Sequence, residues 1–334
     1  MKNRPIIALA SLLLLWSTAC EELAFEPQPE STNVQVYEEF WRVFSEKYAM
    51  FEAKGVDWQN VYANTRLQVD NTISEDSLFS VLSSMTLSLS DAHTTLINPE
   101  SGDQAFFDLE VGFPENLDEE LISNTYLQGN EKRLGGFIYS MLPGNIGYII
   151  FRDFESVITD EEVDLILTEF EDTKGIILDV RGNTGGDPFG AGKLASHFTN
   201  HEVYAGFERF KTGPGSTDFS DSRFTLEPTE GITYTKPVMV LTNRLCYSAT
   251  TTLLYLMDPM PNVTFVGGRT GGGSGSVADG QLINGWYYSL SVSEFIDARD
   301  RHLDDGVDPD ILVELDPSIP NRDEIIERAI QELN

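Results

Sequence analysis

Four short apolar runs constrain this chain more than any other feature: Ile146 to Phe151, Ile176 to Val180, Val238 to Leu241 and Val263 to Val266. Runs of this length, rich in β-branched residues, read as buried strands. Helical spacing lies between them. Thr159-Asp160-Glu161-Glu162 reads as a capping box, with Val163, Ile166, Leu167 and Phe170 following on one face. Further helices are expected over about Gly190 to Phe198 and over Arg322 to Leu333. Strands alternating with helices predict an α/β core in which helices pack on a sheet. A chain of 334 residues, 41% hydrophobic, can bury such a core and suggests about two domains.

The stretch before the core has a different pattern. Tyr37, Phe40, Trp41, Phe44 and Tyr48 fall on one helical face, and Trp58, Val61, Tyr62, Thr65 and Val69 suggest a second helix. Thr72-Ile73-Ser74-Glu75 reads as a capping box for a third, carrying Leu78, Leu82, Met85 and Leu89. These stripes are expected to be packing surfaces. The organisation expected is therefore a helical domain over 34–96, a connecting β-rich segment over 97–144, and the α/β core over 145–334. Residues 199–235, polar and rich in Gly, Ser and Asp, form an insertion in that core that reads as a lid or a hairpin.

Residues 1–20 read as a processing segment. Lys2 and Arg4 precede an apolar stretch from Ile6 to Trp16 that is too short to span a bilayer, and Ser17-Thr18-Ala19-Cys20 follows. This resembles the lipobox of bacterial lipoproteins, which implies lipidation at Cys20, an anchor to the membrane and a place in the cell envelope, periplasmic or on the outer membrane. Residues 21–33 read as a flexible tether. The formal net charge of −32 excludes nucleic acid as an expected partner, because a phosphate backbone would be repelled. Of the two cysteines, Cys246 is left without a disulfide partner and is expected to be buried packing.

Ser248 is the residue best placed for chemistry. It lies between the apolar run ending at Leu241 and a segment, Ala249 to Met257, that reads as a helix. A helix N-terminus offers free N–H groups and a positive partial charge, and both favour an alkoxide and the oxyanion that follows its attack on a carbonyl. Four histidines are candidates for a base: His93, His197, His201 and His302. His93 sits in a polar turn between apolar runs. His197 and His201 have i, i+4 spacing but lack a convincing third ligand, so no metal is expected. Asp179-Val180-Arg181-Gly182-Asn183-Thr184-Gly185-Gly186 places a Gly-rich turn after a buried strand, where backbone N–H groups can approach a ligand. No phosphate-loop ending, no Gly-x-Ser-x-Gly elbow and no EF-hand spacing is present.

Five blocks in order resemble the tail-specific (C-terminal processing) and tricorn-like serine peptidases: Asp91-Ala92-His93-Thr94, Gly175 to Gly186, Val240 to Ala249, Gly267 to Gly271, and Gly306-Val307-Asp308-Pro309-Asp310. The resemblance implies a ClpP/crotonase-like α/β core preceded by a small helical domain, and hydrolysis of peptide bonds in a polypeptide substrate. It makes Ser248 the nucleophile and assigns the oxyanion hole to the N–H of Ala249 with one from Gly185 or Gly186. Processing-type members use a lysine base whose position here is Gly273. Tricorn-like members use a histidine from the preceding domain, and His93 occupies that place. A neutral imidazole suits that task near neutral pH.

Ala92 stands where tricorn-type sites carry a serine. Asp304 or Asp305 stands where they carry a glutamate, one methylene shorter, and either could orient a group in the site. The segment 97–144 is too short for the PDZ domain found in many members. The resulting expectation is a lipid-anchored serine endopeptidase without metal or organic cofactor. The alternative is a non-catalytic ligand- or peptide-binding lipoprotein on the same fold. An esterase-like hydrolase is a third. The sequence implies no particular oligomeric state.

Overall fold

The computed structural model of the protein describes residues 31–334. The expected tether up to residue 30 and the lipidation position Cys20 lie outside them. Three helices open the described chain: α1 (Asn33–Lys47), α2 (Trp58–Thr65) and α3 (Glu75–Leu87). Helix α1 starts at a reciprocal cap between Thr32 and Gln35 and buries Val36, Tyr37, Phe40, Val43 and Phe44. Helix α2 is shorter than its apolar pattern, which continues to Val69, because a 3₁₀ turn over Arg66–Gln68 takes over after Thr65. The cap of α3 is Ser74 and not Thr72. The carboxylate of Asp70 captures both the N–H and the hydroxyl of Thr72, at 2.7 and 2.6 Å, which leaves Ser74 to accept from the Ser77 N–H.

These helices rest on a four-stranded antiparallel sheet. Two of its strands, β1 (Thr95–Ile97) and β2 (Gln104–Phe106), follow the helices directly. The other two, β11 (Val277–Gln281) and β12 (Tyr287–Ser291), come from far along the chain, and β12 pairs with β1 in the order β11-β12-β1-β2. Leu96, Ala105, Trp286, Tyr288 and Leu290 lie under the aromatic faces of the helices and make one core with them. The apolar stripes need a second layer to cover them, and residues 277–291 supply half of it.

The α/β core is a seven-stranded mixed sheet. Its strands are β3 (Lys132–Leu134), β4 (Phe137–Leu142), β5 (Ile146–Phe151), β6 (Ile176–Asp179), β9 (Val238–Thr242), β10 (Val263–Gly267) and β14 (Ile311–Leu312), in the order β14-β10-β9-β6-β5-β4-β3. The pairs from β14 to β5 are parallel and the last two are antiparallel. Successive residues of the central strands feed opposite layers. Leu178 and Val240 pack beneath α4 (Asp160–Glu169), α5 (Pro188–Ser196) and α6 (Ala249–Met257), whereas Ile177, Met239 and Leu241 face α7 (Glu324–Glu332). The box expected at Thr159 and Glu162 does cap α4. Residues 199–235 contain a long hairpin, β7 (Val203–Lys211) with β8 (Phe219–Leu226), which joins β13 (Ser293–Asp297) in a three-stranded sheet.

A buried ion network closes the end of β6. Asp179 and Arg181 are wholly buried and paired at 2.7 Å, Arg152 reaches Asp179 at 3.1 Å, and Arg181 reaches Asp323 at 2.9 Å. Burial pushes the Asp179 carboxyl up, but the two guanidinium groups more than reverse this and hold it well below the usual carboxylate range. The network fixes the start of the Gly182–Gly186 turn against the strand ends and against α7. Replacing Arg181 by Met leaves buried carboxylates short of a partner. A loss of about 3–5 kcal/mol is expected, read from the urea unfolding midpoint. A change below about 1 kcal/mol would show that the network contributes little.

Candidate active site

Ser248 occupies the turn between β9 and α6 in a conformation that non-glycine residues rarely adopt, φ 57° and ψ −123°. Surrounding contacts hold it there. Its own N–H donates to the Gly272 carbonyl at 3.0 Å, the Tyr247 N–H to the Asn183 carbonyl at 3.2 Å, and the Gly271 N–H to the Cys246 carbonyl at 2.9 Å. The Thr251 hydroxyl reaches the same Gly272 carbonyl at 2.7 Å. Two neighbouring turns, 182–186 and 270–275, thus clamp the serine from both sides. Its side chain makes no capping bond to the helix it precedes. The Cys246 thiol points inward to the Val180 carbonyl at 3.1 Å, and burial pushes it up to about 12, so it is a packing residue and not a nucleophile at neutral pH.

The two glycines proposed as donors differ. Gly185 has φ +106°, and a side chain there would meet the Ser248 Cβ at 2.6 Å and the Ala249 nitrogen at 2.8 Å. Only glycine lets the turn come this close. Its N–H, however, is committed to the Asn183 side chain at 3.0 Å. Gly186 runs beside Phe154, whose N–H and carbonyl bond Gly185 and Asp187, which leaves the Gly186 N–H without a partner. The Ala249 N–H, first in α6, is likewise without one.

His93 comes from the other unit, in the turn between α3 and β1. Its ring lies 4.7 Å, centre to centre, from the ring of Tyr247, the residue immediately before Ser248. Asp91 makes this approach specific. Its buried carboxylate accepts from the His93 N–H at 2.9 Å, the Thr94 hydroxyl at 2.9 Å, the Ser291 hydroxyl at 2.8 Å and the Tyr247 hydroxyl at 3.1 Å. The Ser289 hydroxyl holds the His93 carbonyl at 2.7 Å. Burial lowers the imidazole from its ordinary value, helped by the Lys54 cation and opposed by Asp91, so the ring is neutral at pH 7. Its Nδ1 is buried without a partner. No hydrogen bond joins the ring to the Ser248 hydroxyl in this resting arrangement.

Asp304 does not orient His93. It is wholly buried, and its carboxylate accepts from the Ser274 hydroxyl at 2.7 Å, the Ser274 N–H at 3.1 Å and the Phe295 N–H at 3.2 Å. Its short side chain is used up within the 270–275 turn. Asp305 points outward and lies 3.5 Å from both Lys54 and Arg269. Sequence reasoning missed Lys54, whose side chain is only 7% exposed and whose Nζ donates to the Asp304 carbonyl at 3.1 Å. The other histidines lie elsewhere. His197 is bonded to the Lys193 carbonyl, His201 to Asn200, and His302 lies 3.1 Å from Glu294. Among the described residues no cluster of three or more His, Cys, Asp or Glu is arranged to hold a metal ion.

Ser248, Gly186 and Ala249 open onto a cleft of about 640 Å³. Its walls are largely apolar, with Phe189, Leu226, Leu256, Phe224, Val277 and Phe295, and Glu208 stands among them. Burial pushes Asp304 up to about 6, against the pull of its bonds from Ser274 and Phe295. A carboxyl raised on folding stabilises the protein below its unfolded value near 4 and loses that contribution as pH climbs through 6. Between pH 4 and 7 the wild type should therefore lose about 2 kcal/mol relative to Asp304→Asn, in urea unfolding at each pH. Parallel curves for the two proteins would contradict the assignment.

Comparison with known proteins agrees with this architecture. Residues 145–313 match the model of peptidase family S41, and residues 29–86 match the tricorn protease C1 domain. A structure from Parabacteroides merdae ATCC 43184, assigned as a candidate peptidase, is 35% identical, with a TM-score of 0.86 over 91% of this chain and 97% of that one. Mature CPAF complexed with lactacystin aligns over 90% of this chain and 97% of its own at 13% identity and a TM-score of 0.64. The photosystem II D1 C-terminal processing protease aligns over 89% and 97% at 16% identity and a TM-score of 0.54. These last two likenesses are of fold. With a family model spanning half its length and a 35% identical relative covering nearly all of it, the chain belongs to peptidase family S41.

Proposed function

We propose that the protein is a serine endopeptidase in which Ser248 attacks a peptide carbonyl and His93 is its general base. The observation that carries this reading is the meeting, around Tyr247, of a strained serine at a helix N-terminus and a neutral imidazole from the other unit. The imidazole takes the hydroxyl proton as the Ser248 oxygen bonds to the carbonyl carbon. The oxyanion then accepts from the N–H groups of Ala249 and Gly186, the two left unpartnered beside the cleft. Collapse expels the amine, which receives the proton from the imidazolium, and leaves an acyl-enzyme. Water attacks that ester, again with His93 as base, and restores the serine.

In this reading Asp91 is a positioning residue that acts through the His93 backbone and Tyr247, and the contact between His93 and Ser248 closes when substrate fills the cleft. Hydrogen bonds of this kind are often loose without substrate. The apolar walls suit an apolar side chain next to the scissile bond.

A fluorophosphonate probe should label the wild type, and labelling should vanish in Ser248→Ala and fall at least about 100-fold in rate in His93→Gln. The labelling rate should rise with pH and reach half its plateau below 6.5, because burial lowers the imidazole. An unlabelled wild type would favour a peptide-binding receptor on the same fold.

We also propose that Cys20 carries lipid and holds the enzyme in the cell envelope, where its polypeptide substrates would be. The support is the sequence of residues 1–20. Among the described residues no helix is long and apolar enough to cross a membrane. Cys20→Ala should move the protein from the membrane pellet to the soluble fraction of lysed cells. Unchanged fractionation would remove the lipid from the account.

A further inference from the structure

We propose that the outer edge of β11 is the docking rail for the polypeptide, which adds to the four-stranded sheet as a further strand and so runs into the Ser248 cleft in extended form. The inference rests on the reading of Ser248 as nucleophile and names how its substrate is held. Strand β11 ends the sheet order β11-β12-β1-β2, so only one of its edges is paired. Two bonds set the phase of that pairing: the Val292 N–H donates to the Ser276 carbonyl at 2.8 Å, and the Leu282 N–H to the Trp286 carbonyl at 2.8 Å. In an antiparallel ladder, residues that exchange hydrogen bonds alternate with residues that do not. Ser276, Ala278, Gly280 and Leu282 therefore face β12, and Val277, Asp279 and Gln281 turn their N–H and carbonyl groups to the open side. None of these three makes another backbone hydrogen bond outside the sheet.

The open edge is continuous with the cleft. Ser274, Gly275, Ser276 and Val277 line it together with Ser248. The same turn bonds the Ser248 N–H through Gly272 and leads directly into β11. The opposite wall is the end of β8, Phe224 to Leu226, and β8 is itself the last strand of its sheet. A passage lined on both sides by strand ends suits an extended chain, which can pair its main chain with an open edge. Main-chain pairing at β11 supplies affinity that does not depend on sequence, and the apolar walls select the side chain beside the scissile bond. The substrate class is accordingly an unstructured stretch of polypeptide several residues long.

The test uses the full protein and an unstructured leucine-containing decapeptide. Single backbone N-methylation along the decapeptide should raise KM roughly 5-fold at alternate positions on one side of the scissile bond, because a docked strand presents every second amide to the rail. A second measurement addresses the protein side. Asp279→Pro removes one outward N–H without touching the ladder, a substitution that edge strands tolerate. It should raise KM for the decapeptide roughly 5-fold with kcat little changed, and fluorophosphonate labelling of the same variant reports whether the serine site is intact. A KM indifferent to N-methylation, or without the two-residue period, would overturn the proposal, as would an intact Asp279→Pro with wild-type KM. If the wild type is not labelled at all, the nucleophile assignment fails by itself. The rail is then judged by anisotropy of a fluorescein-labelled decapeptide and its N-methyl series, where the same alternation supports it and its absence rejects it.

Discussion

One buried carboxylate ties the molecule together. Asp91 collects donors from its own turn, from Ser291 at the end of β12 and from the hydroxyl of Tyr247. A carboxylate out of water is costly unless its lone pairs are filled, and these four bonds fill them. The consequence is geometric. The helical unit cannot move away from the α/β core without leaving Asp91 or Tyr247 unpaired in a dry interface. His93 lies two residues beyond Asp91 and Ser248 one beyond Tyr247, so the pairing of Asp91 with Tyr247 keeps their two chain segments side by side.

Tyr247 also accounts for how this member of family S41 differs from the processing-type pattern. A side chain at Gly273, the position of the lysine in that pattern, would meet the Tyr247 ring at 2.2 Å. The space that a lysine stem would need is filled by an aromatic ring, and the His93 imidazole packs against that ring at a tilt. The ring that excludes a side chain at position 273 is thus the ring against which His93 packs. Asp304 fits this picture as a clamp on the 270–275 turn through Ser274 and not as a partner of the histidine. Lys54 binds the backbone of Asp304 from the helical unit and brings a third tie across the interface.

The parts of this arrangement that could be read from sequence are those set by local pattern. Alternating apolar runs and capping boxes disclosed the α/β core, the three N-terminal helices and the placing of Ser248 between a strand and a helix. What stayed hidden depends on contacts between distant segments. Nothing in Tyr287–Ser291 says that it pairs with Thr95–Ile97, since a β-ladder leaves no trace in spacing along one strand. Lys54 looked like any loop lysine until its carbonyl partner came into view. That the Gly185 N–H is taken up while its neighbour's is not depends on the Asn183 side chain, which spacing along the sequence does not disclose. At Thr72 a rule based on spacing lost to a nearer competitor, Asp70.

In the proposed mechanism an imidazole and a serine from separate units act on one carbonyl over two backbone N–H groups. A crystal structure of the protein after reaction with a fluorophosphonate tests it most directly, because the bound phosphoryl group stands in for the tetrahedral intermediate. The account predicts phosphorus on the Ser248 oxygen, one phosphoryl oxygen about 2.7–3.1 Å from both the Ala249 and Gly186 nitrogens, and a His93 ring nitrogen within hydrogen-bond distance of the adduct. An adduct whose oxygen faces solvent, with the His93 ring still tilted against Tyr247 and out of reach, would contradict it.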